Sequence, residues 1–214
     1  MPPPFDLHKS ARELAADLST VLNKTICTGA KLTAVLDPGK KFAVLGNGVT
    51  KRNRIPRLGC PISRPTTCPT FLSAQMTLAP DEAGKHLMVD TSVIGLALDR
   101  EMTKELLHYD YERDKGHGYP EAHLQICADS EHWHALGPDR ALKKLHLPVG
   151  GRRFRPTLED VIEFLIVEGF ADGHPGWKAV LDASRDQFQE KQLRAAIRRY
   201  PEVAISQLRR DGHL

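Results

Sequence analysis

Apolar residues recur near the start of the chain at helical spacing. Leu7, Ala11, Leu14, Leu18, Val21 and Leu22 form one stripe of a helix over residues 7–24, with Asp6 at its N-cap position. The period then falls to two. Residues 31–36 and 42–45 read as short strands around Pro38-Gly39, and Asn47-Gly48 marks a second turn. Residues 71–78 and 86–98 are strand-like, parted by Pro80-Asp81-Glu82-Ala83-Gly84, with a break expected near Thr91-Ser92. A helical turn is expected over 100–106. Alternation returns over 106–112, where Leu107, Tyr109 and Tyr111 oppose His108, Asp110 and Glu112. Over 122–127, Ala122, Leu124 and Ile126 oppose His123, Gln125 and Cys127. Helical spacing resumes after Thr157, an N-cap with acids behind it, and puts Leu158, Val161, Ile162, Leu165 and Ile166 on one face. Gly169 and Gly173-His174-Pro175 end that helix. An amphipathic helix over about 176–199 and a short one starting at Pro201 close the chain.

These elements predict an α+β fold, an antiparallel meander sheet of about four to five strands flanked by an N-terminal helix and C-terminal helices. A core domain is expected over residues 1–175 and a helical appendage over 176–214, which suits oligomerisation, partner binding or packing back on the core. The hydrophobic content, 41% of 214 residues, supplies an ordinary core and excludes global disorder. No apolar run is long enough to span a membrane, and residues 1–6 lack the apolar centre of a secretion signal. Cys27, Cys60, Cys68 and Cys127 form no C-x-x-C pair, so their spacing does not match a zinc ribbon or finger. The expectation is a cytoplasmic protein with reduced thiols, a Cys60–Cys68 bridge being the alternative.

Charge adds more through its distribution than through its net value of +3. Residues 51–70 hold Lys51, Arg52, Arg54, Arg57 and Arg64 with no acid. Pro56, Pro61, Pro65 and Pro69 exclude a helix or a central strand there. The segment reads as an exposed basic loop, either a plain connection or a contact for a phosphate backbone. Arg152, Arg153 and Arg155, after Gly150-Gly151, are further candidates for phosphate contact. That glycine pair lacks the strand–loop–helix setting of a nucleotide-phosphate loop. Aromatic content of 6% leaves few residues for stacking on bases.

Candidate chemistry concentrates in 108–117, where two histidines, three carboxylates and two cations flank one turn, with His123 shortly after. If 106–112 and 122–127 pair as a hairpin, one sheet face carries His108, Asp110, Glu112 and His123. The connecting loop would hold Lys115, His117 and Tyr119 over the end of that face. A solvated antiparallel face shows the same alternation without any function. Histidines distinguish this one, since they exchange protons near neutral pH. Glu131-His132-Trp133-His134 lacks a companion set of ligands, so no metal site is expected there; Trp133 docked on the core explains it better.

Tyr109-Asp110-Tyr111-Glu112-x-x-Lys115-Gly116-His117, followed by 154–165 with Phe154-Arg155-Pro156-Thr157 leading into a helix, resembles the TumE-type toxins of bacterial toxin–antitoxin loci. The resemblance covers about residues 71–168. It departs from that family's pattern at Tyr111, where asparagine is usual, and in its separated histidines. It implies a small toxin-like protein with an antitoxin as partner.

A metal-independent ribonuclease of this kind needs a base for the 2′-hydroxyl proton, an acid for the leaving oxygen and a cation for the phosphate. His123 or Glu112 would be the base and His117 the acid. Lys115 or Arg113 would hold the charge, and Asp110 would orient a histidine. No cofactor is needed. The nucleic acid is RNA first and DNA second. The alternative is a non-catalytic nucleic-acid-binding or regulatory module that uses Lys51, Arg52, Arg54, Arg57, Arg113, Arg152, Arg153 and Arg155. Besides the antitoxin, another protein partner or a homo-oligomer is open; a membrane is not expected.

Overall fold

The computed structural model describes residues 5–63, 68–114, 120–128, 130–134, 147–149 and 155–214. Helix α1 (Leu7–Thr25) starts where Asp6 Oδ1 accepts the Lys9 amide at 3.0 Å. It buries Leu7, Ala11, Leu18, Val21 and Leu22 of the expected stripe, with Ala15 beside them and Leu14 half-buried. The strands are β1 (Leu32–Leu36), β2 (Ala43–Asn47), β3 (Cys60–Pro61), β4 (Phe71–Pro80), β5 (Leu87–Ala97), β6 (Glu105–Glu112), β7 (Ala122–Ile126) and β8 (Leu147–Pro148). A one-turn helix α2 (Glu131–His134) lies between β7 and β8, and α3 (Leu158–Val167), α4 (Trp177–Arg199) and α5 (Pro201–Arg210) follow.

All the strands join one antiparallel sheet in the order β1-β2-β4-β5-β6-β7-β8, with β3 beside β4. The fold is therefore α+β as expected, with eight strands among the described residues in place of four or five. Two of the added strands, β3 and β8, are two-residue pieces whose pattern is too short to signal itself. The proline-rich segment still obeys its chemistry, since Pro61 is tolerated in a short strand that pairs with β4 through Cys60↔Leu72 and Pro61↔Phe71. The helical turn expected over 100–106 is instead a turn organised by Asp99. Its carboxylate accepts from the backbone of Thr103 and Lys104 and from the Thr103 hydroxyl, which holds it below the usual carboxylate range. The break expected near Thr91-Ser92 is a bulge at Asp90, where the register with β4 shifts.

One face of the sheet carries Ala34, Leu45, Leu72, Ala74, Met76, Leu78, Ile94, Leu96 and Leu107 and is covered by α1, α3 and the start of α4. Tyr109 meets Phe164 of α3 edge to face at 6.1 Å, and Leu181 of α4 is fully buried. Beyond Leu181, α4 is clamped to α3 by Ser184 Oγ donating to Glu159 at 2.5 Å and by Arg185 pairing with Asp160 and Glu163. The first half of α4 is thus part of the core, while 189–200 are exposed. Thr157 and Asp160 form a reciprocal capping box on α3. Thr157→Ala should cost about 1 kcal/mol in urea unfolding; a change below a few tenths would mean that neighbouring contacts hold this helix end instead. Among the described residues no helix is long and apolar enough to cross a membrane. All four cysteines are free, Cys27 and Cys60 buried, Cys68 and Cys127 exposed.

Candidate functional site

The β6–β7 pairing is the one that unites the candidate residues. Asp110 lies opposite His123 and His108 opposite Gln125, so His108, Asp110, Glu112 and His123 share the face away from α1. On the other side of β6, Asp110 pairs with Val93 and His108 with Gly95.

A fifth residue enters this face through an irregularity. Leu96 pairs with Leu107 but Ala97 pairs with Glu105, which leaves Leu106 as an extra residue in β6. Plain alternation would put Glu105 on the face of Leu107. The bulge turns it back to the side of His108, where Glu105 Oε1 sits 3.1 Å from His108 Nδ1. Gly95 leaves the space for this. A Cβ there would stand 3.2 Å from both Glu105 Oε1 and Ser73 Oγ, tighter than ordinary contact.

The chain of groups continues along the strands. His108 Nε2 is 3.6 Å from Asp110 Oδ2, and His123 Nε2 is 3.5 Å from the same oxygen. His123 Nδ1 faces the Pro120 carbonyl at 3.4 Å. Each imidazole thus has an acceptor at both ring nitrogens, the Glu105 and Asp110 carboxylates for His108 and the Pro120 carbonyl and Asp110 for His123. Asp110 Oδ1, moreover, is buried with no hydrogen-bond partner among the described residues. Such an unsatisfied acceptor costs about 1–3 kcal/mol.

Exposure divides the two imidazoles. His123 is 1% exposed, which leaves a substrate atom no surface to touch. The His108 side chain retains 15%. Glu112 is exposed one pair further along the face, opposite Thr91. Lys115 and His117, the expected cation and acid, lie outside the described residues, as do Arg152, Arg153 and Arg64.

The basic loop shares this face. Gln75, on the same side as Val93 and Asp110, donates to the Arg54 carbonyl at 3.4 Å, and Thr33 donates to the Val49 carbonyl at 2.7 Å. Lys51, Arg52 and Arg57 remain exposed while Arg54 is half-buried. At about 4.8 Å per strand, Gln75 on β4 and Asp110 on β6 lie about 10 Å apart. Val93, 42% exposed, lies between them.

Arg113 and Arg155 are placed elsewhere. Arg113 donates to the Val89 carbonyl at 3.3 Å and lies 5.9 Å over the Tyr111 ring, on the opposite face. Arg155 is held between Tyr111 and Phe188 at 5.9 and 6.0 Å, and burial pushes its guanidinium below the ordinary value. Both cations are thus separated from the imidazoles by the sheet itself, which overturns Arg113 as a holder of charge at this cluster. Strand alternation is the reason, since odd-numbered side chains here point toward the helices. Arg155 is committed to packing, so it is not an open phosphate contact.

Sequence reading missed Glu105, because only the bulge gives it this face; there it accepts from the thiol of Cys127, which alternation already puts on the side of His123, at 3.7 Å to Oε2. Burial and the Glu105 carboxylate push the Cys127 thiol above its ordinary value. Glu105→Gln should therefore speed alkylation of Cys127 at neutral pH and leave Cys68 unchanged, read by mass spectrometry of the native protein. Equal rates in both proteins would break the proposed Glu105–thiol contact. A third imidazole, His174, bridges the Ser63 hydroxyl at 3.0 Å and the Asn23 carbonyl at 3.2 Å, and ties the α3–α4 loop to the end of α1. With both nitrogens satisfied by neighbouring elements, it is explained as a structural tie. Among the described residues, no group of three or more His, Cys, Asp or Glu side chains is arranged to hold a metal ion. Comparison with protein-family models, curated proteins and solved structures finds nothing that matches this chain.

Proposed function

We propose that the protein is a toxin-like, metal-independent ribonuclease that works by general acid/base chemistry on the open sheet face. The observation that carries this reading is that the face of the Glu105–His108–Asp110–His123 chain is also crossed, at Gln75, by the backbone of the loop that bears the exposed cations Lys51, Arg52 and Arg57. The cations would bind the backbone phosphates electrostatically and without sequence preference. His108 is the imidazole with exposure to meet a 2′-hydroxyl, so it takes the role of base that the sequence assigned to His123 or Glu112. Glu105 and Asp110 steer it, and His123 acts through Asp110 as a positioning residue. Lys115 and His117 keep the roles of cation and acid. Such a toxin would act on RNA in the cytoplasm with an antitoxin as its partner, in keeping with the resemblance in 109–117 and 154–165.

The burial of His123 favours one other reading, a nucleic-acid-binding module without chemistry. Incubation with total RNA and single-stranded DNA, in EDTA and with added Mg²⁺, separates the two. Cleavage of RNA in EDTA that leaves 2′,3′-cyclic phosphate ends is the expected result. Intact RNA with salt-sensitive binding, lost when Lys51, Arg52 and Arg57 are changed to Ala, would leave the binding module in its place.

A further inference from the structure

Beyond residue 189 the chain presents an apolar surface that the domain does not use. Leu193, Ile197 and Tyr200 recur at positions i, i+4 and i+7 along the end of α4, and are 61%, 44% and 59% exposed. In α5, Val203 and Leu208 are 68% and 40% exposed, and no residue of the helix is buried. A ten-residue helix is marginal in water alone, and most helices owe their stability to an apolar face packed against something. Single exposed apolar residues need no explanation, but Leu193, Ile197 and Tyr200 recur at helical spacing, with Val203 and Leu208 exposed on the helix that follows.

The charges around this surface select its partner. Residues 190–214 contain six basic side chains against three acidic ones. Glu190 is already bound to Arg194 at 2.6 Å, and Asp211 accepts from Gln207 at 2.9 Å. Among the described residues Lys191, Arg199, Arg209 and Arg210 have no ion-pair partner. Arg194 and Arg199 flank the Leu193–Ile197–Tyr200 stripe on either side, as the 3.6-residue repeat requires. A second copy of the chain would bring like charges together, which disfavours association. Nucleic acid would match the cations but leave Leu193, Ile197 and Val203 uncovered.

We infer that the end of α4 together with α5 is a docking surface for an acidic amphipathic helix of a different protein. The partner's apolar anchors would lie on Leu193, Ile197 and Tyr200, and its carboxylates would meet Arg199, Arg209 and Arg210. This inference stands on surface properties remote from the sheet face and does not depend on the ribonuclease reading.

The test uses the full chain and a fluorescein-labelled helical peptide with leucines at i, i+3, i+4 and i+7 and glutamates elsewhere. Peptides with lysine in place of glutamate, and with serine in place of leucine, are the controls. Anisotropy should show saturable binding of the acidic peptide alone. Leu193→Ser with Ile197→Ser should weaken it about tenfold or more, as truncation of central anchors does. Arg199→Glu with Arg209→Glu should weaken it similarly, and circular dichroism should show both variants folded. Failure of the acidic peptide to bind, or equal binding of the lysine peptide, overturns the inference. So does a dimer seen by light scattering that the Ile197→Ser variant dissolves, which would assign the surface to a second copy. A gel shift with RNA that depends on Arg199 and Arg209 but not on Leu193 would assign it to nucleic acid.

Discussion

His108→Ala should lower the proposed RNA cleavage by about 10²–10⁴-fold, the usual contribution of one positioned acid–base group, and should leave thermal unfolding close to that of the unaltered protein. The second half of this expectation follows from its setting. His108 is on the partly open face, with carboxylates on both sides and no part in the hydrophobic core. Asp110→Asn is the companion variant. The amide keeps the size of the side chain but removes the charge that faces both Nε2 atoms, so the rate should fall and its pH profile should change shape. A purely structural role for Asp110 would move stability without moving the profile. His123→Ala mixes the two effects, because its side chain is fully enclosed and its loss leaves a void. Unchanged rates in His108→Ala and Asp110→Asn would remove the cluster from catalysis, whatever the protein does to RNA.

Leu165→Ala should destabilise the fold by about 2–5 kcal/mol, seen as a lower urea midpoint at an unchanged slope. Leu165 is wholly buried on α3, within the cluster that joins α1, the sheet and α4. Its carbonyl also accepts the amides of Phe170 and Ala171, which closes the helix end, so this backbone has little freedom to collapse into the space left. Val167, two residues on and 69% exposed, is the internal control. Val167→Ala should shift stability by less than about 0.5 kcal/mol. Similar effects at the two positions would mean that α3 does not pack as described.

Much of this architecture is legible in local pattern. Asp6, Thr157 and Pro201 mark their helices because caps and prolines act on the nearest backbone, and each helix starts at the next residue or at the proline itself. The alternation of 106–112 places His108, Asp110 and Glu112 on one face whatever they pair with. Other features needed contacts distant in sequence. Glu105 reads as a residue of the opposite face until the bulge at Leu106 is known, and bulges depend on the partner strand. Arg113 reads as a neighbour of the imidazoles by proximity in sequence, yet one strand step reverses a side chain, and it stacks on Tyr111 instead.

The periodicity of the chain by itself determined the α+β class, the helix starts and which side chains of each strand lie together, because those depend on the geometry of a few consecutive residues. Tertiary structure alone decided that Asp110 meets His123 and that the basic loop lies over the same face as both. It also decided that Arg155 is spent on packing between Tyr111 and Phe188, while Leu193 and Ile197 are left open. These outcomes depend on register and burial, which are set by the whole sheet and its helices at once. A one-residue slip between β6 and β7 would preserve every local pattern and still disperse the cluster.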